Sequence, residues 1–480
     1  MGGAAKANPM PRTRALVLSP ALIFALFAGL AGFGLAAFSP GLLNDADTYW
    51  HIRAGEWMLA HRAVLRADVF SYTAAGSPWH TQEWLAEIVM ALAWAAQSWA
   101  VIHLLFALCA GITAAVVGFY VRRRVDLVPA LLTVVLGLAC TTISLLARPH
   151  MLAMPLLAVW TAGLVSAREE KRAPAWWLIL LMPLWVNLHG SFAFGLALAG
   201  ALAVEAVAET TDRKRTTMKW GLFLLAATAA ATITPFGWHS LVFPFKLSGM
   251  QSLAHIGEWQ ATDFSHISPF ALALLTGLFV LGSGKIKVPP LRLLIVVGLV
   301  WMAMAHCRHQ MLLGVTAPIL LASSLAQAWA AKDQPSSTSL MGVLAAILLV
   351  GMISLRLAVP VVRGDDSSSP DSALAHVPRF VREMPVLNDY SFGGYLIWRG
   401  IKPFIDSRAD LYGDIFLENY ADITSPDKDA LAASLAFHHV RWTIFQRQAP
   451  VVKLLDATPG WHRLYSDKLA VVHVRQDMHP

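Results

Sequence analysis

Apolar stretches of about 20 residues, each long enough to cross the hydrocarbon core of a bilayer, recur along the first 360 positions of this chain. They leave it few ways to fold. A segment without water around it must satisfy its backbone N–H and C=O groups internally, so such stretches become helices packed on one another. The first runs from Ala15 to Phe38. It is too long for the core of a signal peptide and no clean small-residue cleavage site follows, so it reads as a retained helix. Ten more follow, the last from about Leu340 to Val359, giving about eleven spans. Only 14% of the residues are charged, against roughly 25% in a soluble domain.

Ionisable residues between the spans sort into two kinds. Lys6, Arg12 and Arg14, then Arg122–Arg124, Arg168–Arg172, Arg213–Arg215, Lys285 with Lys287, and Lys332 occupy alternate connections. The intervening connections carry histidines and carboxylates. Of the eleven histidines before residue 361, only His103 falls within a span. The positive-inside tendency places the Lys/Arg connections and the N-terminus in the cytoplasm and the histidine-bearing ones outside. A multi-pass protein of the cytoplasmic (inner) membrane is expected. Its outer face would carry the chemistry and its C-terminal part would be extracytoplasmic.

Composition changes near residue 361. Residues 1–360 hold 24 Lys/Arg and 15 Asp/Glu, a balance of +9, while residues 361–480 hold 13 and 15, a balance of −2. The basic excess thus belongs to the membrane part and reads as topology, not as a nucleic-acid footprint. Asp365-Asp366-Ser367-Ser368-Ser369-Pro370 reads as a linker. Beyond it, strand patterns at Val386–Asn388, Pro403–Ser407, Trp442–Gln446, His462–Tyr465 and Ala470–Arg475 alternate with helical ones around Ala373–Glu383, Gly393–Arg399, Asp414–Ile423, Lys428–His438 and Pro450–Asp456. The expected architecture is therefore a polytopic α-helical membrane domain, residues 1–360, with a first outer loop at 39–82, and a small extracytoplasmic α/β domain, residues 361–480. Cys109, Cys140 and Cys307 form no metal spacing or disulfide framework, and no internal repeat is visible.

Chemistry should lie where ionisable groups meet the outer membrane surface. Asp45 and Asp47, two apart in the first outer loop, can share a divalent cation (Mg or Mn) through hard oxygen ligands, or one can serve as a general base. The alternative is a solvated turn with helix-capping aspartates ahead of Thr48–Leu59. Arg148 with His150, and Arg308 with His309, end outer helices, where a guanidinium can hold a phosphate or snorkel to lipid headgroups. His189, His239 and Glu258 stand in second rank. Glu83 and Glu87 lie one turn apart on Thr81–Trp94, a site pair or a face on the membrane surface. Trp50, Trp79 and Trp238, among 18 tryptophans, can stack on sugar rings or belong to interfacial belts. Asp406-Ser407-Arg408-Ala409-Asp410 reads as an internal ion-pair network or a ligand crevice at a strand end. No P-loop, dinucleotide fingerprint, zinc-ligand spacing or nucleophile elbow occurs.

The run Asp47-Thr48-Tyr49-Trp50-His51-Ile52-Arg53 resembles the first-outer-loop motif of oligosaccharyltransferase catalytic subunits. Asp45, four before Tyr49, is similarly spaced to the loop acid of protein mannosyltransferases and aminoarabinose transferases. These are GT-C glycosyltransferases, multi-span enzymes that use lipid-phosphate-linked sugars. Asn388-Asp389-Tyr390-Ser391-Phe392-Gly393-Gly394-Tyr395 is loosely similar to the oligosaccharyltransferase W-W-D-Y-G region but lacks the two tryptophans. Uncharacterised bacterial GT-C-like membrane proteins share the first-loop D-x-D and the later Gly-Gly-Tyr and Asp-x-Arg segments. The resemblance covers most of the chain in layout and about 20 residues in motif. It implies transfer of a sugar from a polyprenyl-phosphate donor to a glycan, lipid or protein acceptor, with Asp47 or Asp45 catalytic and Arg308, His309, Arg148, His150, His51, Arg53, Glu83, His189 and His239 binding substrate or phosphate. Three other readings stay open: an O-antigen-ligase or polymerase-like enzyme, a transporter or flippase, and a non-catalytic envelope assembly protein.

Overall fold

Ser19 accepts a hydrogen bond from the Leu22 N–H and Pro20 occupies the first turn, so helix α1 starts at Pro20 and runs to Ala37. The computed structural model describes residues 18–332, 340–425 and 427–477. The expected basic N-terminus, the start of the first span at Ala15 and the Ser-rich connection after Lys332 lie outside them. Helices α2 (Asp47–His61), α3 (Trp84–Trp94), α4 (Trp99–Arg122), α5 (Leu127–Thr141), α6 (Pro149–Glu169), α7 (Leu181–Leu188) and α8 (Phe192–Ala208) follow. Then come α9 (Arg213–Ala230), α10 (His239–Ser248), α11 (Pro269–Gly282), α12 (Pro290–Ala305), α13 (Gln310–Trp329) and α14 (Leu340–Ala358).

The first and last apolar segments are helical over Pro20–Ala37 and Leu340–Ala358. Among the described residues, six stretches are long and apolar enough to cross a membrane: Pro20–Ala37, Trp99–Arg122, Leu127–Ser144, Pro149–Glu169, Cys307–Trp329 and Leu340–Ala358. Trp176–Leu188, α8, α11 and α12 are apolar but shorter, and α9 opens on Arg213, Lys214 and Arg215. Among the described residues, length and composition thus establish six such helices. Leu275, Leu278 and Phe279 on α11, Trp301 on α12 and Ile347 and Val350 on α14 are exposed, an apolar surface that lipid solvates better than water. Inside, α1 lies along α4 and α5 along α13. Small residues let the latter pair touch: a side chain on Gly137 would meet the Gly314 carbonyl.

The C-terminal residues form α15 (Asp371–Ala375), α16 (Arg379–Arg382), β1 (Val386–Asn388), α17 (Gly393–Trp398), α18 (Ala409–Thr424), α19 (Lys428–Phe437), β2 (Trp442–Gln446), α20 (Pro450–Ala457), β3 (Trp461–Ser466) and β4 (Ala470–Arg475). Sheet order is β1-β2-β4-β3, with β1 parallel to β2 and the other pairs antiparallel. Alternate residues feed two cores. Val386, Trp442, Ile444 and Val472 face one, and Leu387, Phe445 and Val471 the other.

Two expectations are corrected. Pro403–Ser407 is not a strand. Pro403 has no N–H to give a ladder. The Asn388 carboxamide accepts from Phe404 N–H at 2.8 Å and donates to the Ile405 carbonyl at 2.8 Å, and the first loop supplies Tyr72 N–H and the Thr73 hydroxyl to the carbonyls of Pro403 and Phe404. Residues 365–370 are not a loose linker either. Asp366 accepts from the Ser368 N–H and hydroxyl, and Arg363 joins Asp366 to the Tyr49 hydroxyl at 2.6 Å each. Tyr49 itself lies in the apolar cluster of Leu374, Val377, Phe392 and Leu396. The first loop and residues 361–477 therefore share a core.

Candidate functional site

Ala147 N–H donates to the Leu42 carbonyl at 2.7 Å and the Thr48 hydroxyl to the Ala147 carbonyl at 3.0 Å. These bonds bring the residue after Ala147, Arg148, against the start of α2. Arg148 Nε donates to Asp45 Oδ2 at 2.6 Å, and Nη2 bonds Asp45 Oδ1. Its Nη1 lies 3.1 Å from Asp47 Oδ2 and donates to Glu258 Oε2 at 2.6 Å. Glu258 then accepts from Arg308 Nη1 at 3.0 Å, and the Arg308 guanidinium lies 4.4 Å from the Trp259 ring centre. Two cations and three carboxylates alternate along one line. Trp50, one turn along α2 from Asp47, divides its indole N–H between Asp47 Oδ1 at 3.3 Å and the Ser407 hydroxyl at 3.0 Å.

Burial raises the Asp47 pKa and Asp45 adds to the rise, against the pull of Arg148 and His51. Glu258 goes the other way. Burial pushes it up, but Arg148 and Arg308 prevail and hold it below the usual carboxylate range.

A second group adjoins the first. His51 Nδ1 lies 3.3 Å from Glu87 Oε1, and the Thr81 hydroxyl donates to Glu87 Oε2 at 2.6 Å. Glu83, just before α3, has His51 Nε2 at 3.8 Å and His189 Nε2 at 3.5 Å. Burial, with help from Glu87 and Asp47, lifts the Glu83 pKa to about 7 against His51 and Arg308. Burial alone would lower His51, but the Glu87 hydrogen bond and the charges of Glu87, Glu83 and Asp47 raise it. The His150 ring centre is 6.0 Å from that of His189, and His150 Nε2 is 2.7 Å from the Ser144 carbonyl.

The structure thus gathers Asp45, Asp47, His51, Glu83, Arg148, His150, His189 and Arg308. Arg148 is not a free phosphate holder, because three carboxylates occupy its guanidinium. Arg53 turns to the Trp398 carbonyl (2.6 Å from Nη2) and Glu56 (2.7 Å), a structural tie. His239 sits against the Phe236 carbonyl and near His80, and His309 against the Met302 carbonyl beside Trp259. Neither contacts the carboxylates. Trp238 is exposed over His239, and Trp79 donates to Asp410. Asp406 and Arg408 form the internal network, completed by Asp68 from the first loop.

A divalent cation fits poorly at Asp45 and Asp47, whose facing oxygens are claimed by the Arg148 guanidinium. Among the described residues no group of three or more His, Cys, Asp or Glu is arranged to hold a metal. Sequence reasoning missed the Ser407 contact, which lies 357 positions from Trp50 and has no local signal. The i, i+3 spacing of Asp47 and Trp50 was a signal that could have been read. No protein-family model matches the chain, and no curated protein matches it.

Proposed function

We propose that the protein is a membrane glycosyltransferase of the GT-C kind. It would move a sugar from a polyprenyl-phosphate-linked donor to a glycan, lipid or protein hydroxyl at the outer face of the cytoplasmic membrane. The observation that carries this reading is the line of charges Arg308–Glu258–Arg148–Asp45/Asp47. It sets a deeply placed carboxylate and a part-exposed guanidinium side by side at one end of the helices.

Transfer from a lipid phosphate needs two things: a carboxylate to orient and deprotonate the attacking hydroxyl, and a cation to take up charge on the departing phosphate. Asp47 suits the orienting part of the first task, since one of its oxygens is only weakly held by Trp50. Arg308 suits the second, because Glu258, its one carboxylate partner among the described residues, leaves donors free for a phosphate. Arg148 acts by fixing the carboxylates. No step requires a metal. In this reading eleven spans place the N-terminus in the cytoplasm, and residues 361–480 form an outer domain that orients the acceptor.

The test is mass spectrometry of extracytoplasmic glycans in a deletion strain carrying wild type, Asp47→Asn or Arg308→Ala at matched protein levels. A glycan lost on deletion should return with wild type. Arg308→Ala should restore it at a rate lower by about 100-fold or more, the usual cost of one donor aimed at developing charge. Full restoration by both variants would sink the proposal.

A further inference from the structure

We infer that Glu83, set between His51 and His189, is the group that takes the proton from the acceptor hydroxyl, while Asp45 and Asp47 fix Arg148 and orient the acceptor. This rests on the transfer reaction proposed above and names its proton acceptor.

The carboxylates of this cluster differ in how many of their oxygens are already claimed. Both Asp45 oxygens accept from Arg148. One Asp47 oxygen faces Arg148 and the other accepts from Trp50. Glu258 is shared by Arg148 and Arg308, and Glu87 by His51 and Thr81. Glu83 alone of these carboxylates accepts no side-chain hydrogen bond among the described residues. Its nearest titratable neighbours, the Nε2 atoms of His51 and His189, stand at 3.8 and 3.5 Å, too far for a good hydrogen bond.

Glu83 occupies the position before α3 where a short polar side chain often caps, yet it makes no capping bond. Its neighbours hold it in place. The Trp84 indole donates to Asn187 at 2.6 Å and Gln82 to the Val186 carbonyl at 3.4 Å. Those bonds pin this stretch to the end of α7, next to His189. The side chain remains 25% exposed, enough for a hydroxyl to reach it. The titratable and charged groups around it are His51 and Asp47 on α2, Glu87 on α3, Arg308 before α13 and His189 after α7, whose burial holds it well below the ordinary imidazole range. A carboxyl that titrates close to neutral is an efficient base at neutral pH, and burial places Glu83 there.

The step balances without another reactant. The acceptor O–H proton passes to a Glu83 oxygen as the hydroxyl oxygen bonds to the anomeric carbon. The bond from that carbon to the phosphate oxygen breaks, and its electron pair leaves on the phosphate beside Arg308. Protonated Glu83 then returns its proton to water.

Two measurements on the full chain test this. The first needs no substrate. A hydrophobic carbodiimide adds to protonated carboxyls in apolar surroundings. Wild-type protein in lipid nanodiscs is treated with dicyclohexylcarbodiimide between about pH 5 and pH 9, spanning the range from ordinary to strongly raised carboxyls, and digested for mass spectrometry. Adduct should appear on Glu83, rising as pH falls with a midpoint near 7. Absence of adduct on Glu83 across this range overturns the inference.

The second is restoration of the glycan by Glu83→Gln and Glu83→Asp. Glu83→Gln should lose about 100- to 10,000-fold in rate, the usual contribution of a general base, and Glu83→Asp should regain part of it. Wild-type restoration by Glu83→Gln while Asp47→Asn and Arg308→Ala fail overturns the proton assignment alone. Restoration by all three overturns the transfer reading itself.

Discussion

Arg408 and Arg463 each bind an aspartate through two hydrogen bonds, but their surroundings make them unequal. Arg408 is fully buried, with Asp406 at 2.6 and 2.7 Å and Asp68 at 2.6 Å, and its guanidinium lies 4.8 Å from the Trp79 ring centre. Arg408→Leu would strand two buried carboxylates and should cost about 3–5 kcal/mol. Arg463 faces Asp456 at the surface, where solvent screens the pair, and Arg463→Leu should cost about 0–1 kcal/mol. Thermal unfolding of both variants in nanodiscs checks the contrast, and equal losses would show that burial is not what separates them. Glu83 adds a pH dependence. Its folded pKa is raised from 4.5 to about 7, so in that window the folded chain holds a proton that the unfolded chain has released. Stability from this group is therefore greatest below about 4.5 and is lost as pH rises through 7. Glu83→Gln should flatten that part of the melting-temperature profile, and an unchanged slope would contradict the burial of its carboxyl.

At the scale of elements, the candidate site depends on two close approaches. On α2, a methyl at Gly55 would overlap the Glu87 carbonyl and Ala91 of α3. At the head of α17, a methyl on Gly394 would overlap the Ala46 carbonyl, immediately before Asp47, and touch Trp50. Gly394→Ala should therefore cost about 1–3 kcal/mol by overpacking and reduce glycan restoration, since it moves the residues that hold Asp47. Gly351→Ala, where nothing lies within reach of the added methyl, should restore normally; the same assays compare the two. This coupling explains what could be read in advance. Apolar length and loop charge revealed the helices, because both are local properties of the chain. Alternation revealed β1, β2, β3 and β4 for the same reason. The carboxylate pair and Arg148 were visible as residues, but their ion pair was not, because it depends on Leu42 meeting Ala147. Pro403–Ser407 was misread because its pattern is that of a strand, while its hydrogen bonds go to the Asn388 side chain and a distant loop. Residues 365–370 were misread because a linker-like composition conceals the ring of bonds made by Asp366 and Arg363.

Across the whole molecule, charge gathers at two poles. α4 begins at Trp99, whose ring meets Tyr49 and Trp398, and ends at Arg122. α6 begins beside Arg148 and ends at Glu169. At the far ends of these helices Glu169 pairs with Arg124 at 3.1 Å, and Glu205 pairs with Arg292 at 2.8 Å and with Arg168 at 3.3 Å. The first pole holds the candidate site and packs against residues 361–477, and the second holds the Lys/Arg-rich connections. A bilayer between them would put His61 and Lys428 on one side and Lys214 on the other; all three are exposed. Cysteines placed singly at these positions, in a chain whose native cysteines are replaced by serine or alanine, can be tested with a membrane-impermeant maleimide on intact spheroplasts. His61→Cys and Lys428→Cys should be labelled directly, and Lys214→Cys only after detergent opens the membrane. Labelling of Lys214→Cys alone would reverse the orientation and put the arginines and carboxylates on the cytoplasmic side. A lipid-linked sugar presented at the outer leaflet could not reach them there. Labelling of Lys428→Cys without His61→Cys would separate two regions joined by Tyr49 and by the Asp68–Arg408 ion pair, and would contradict the shared core itself.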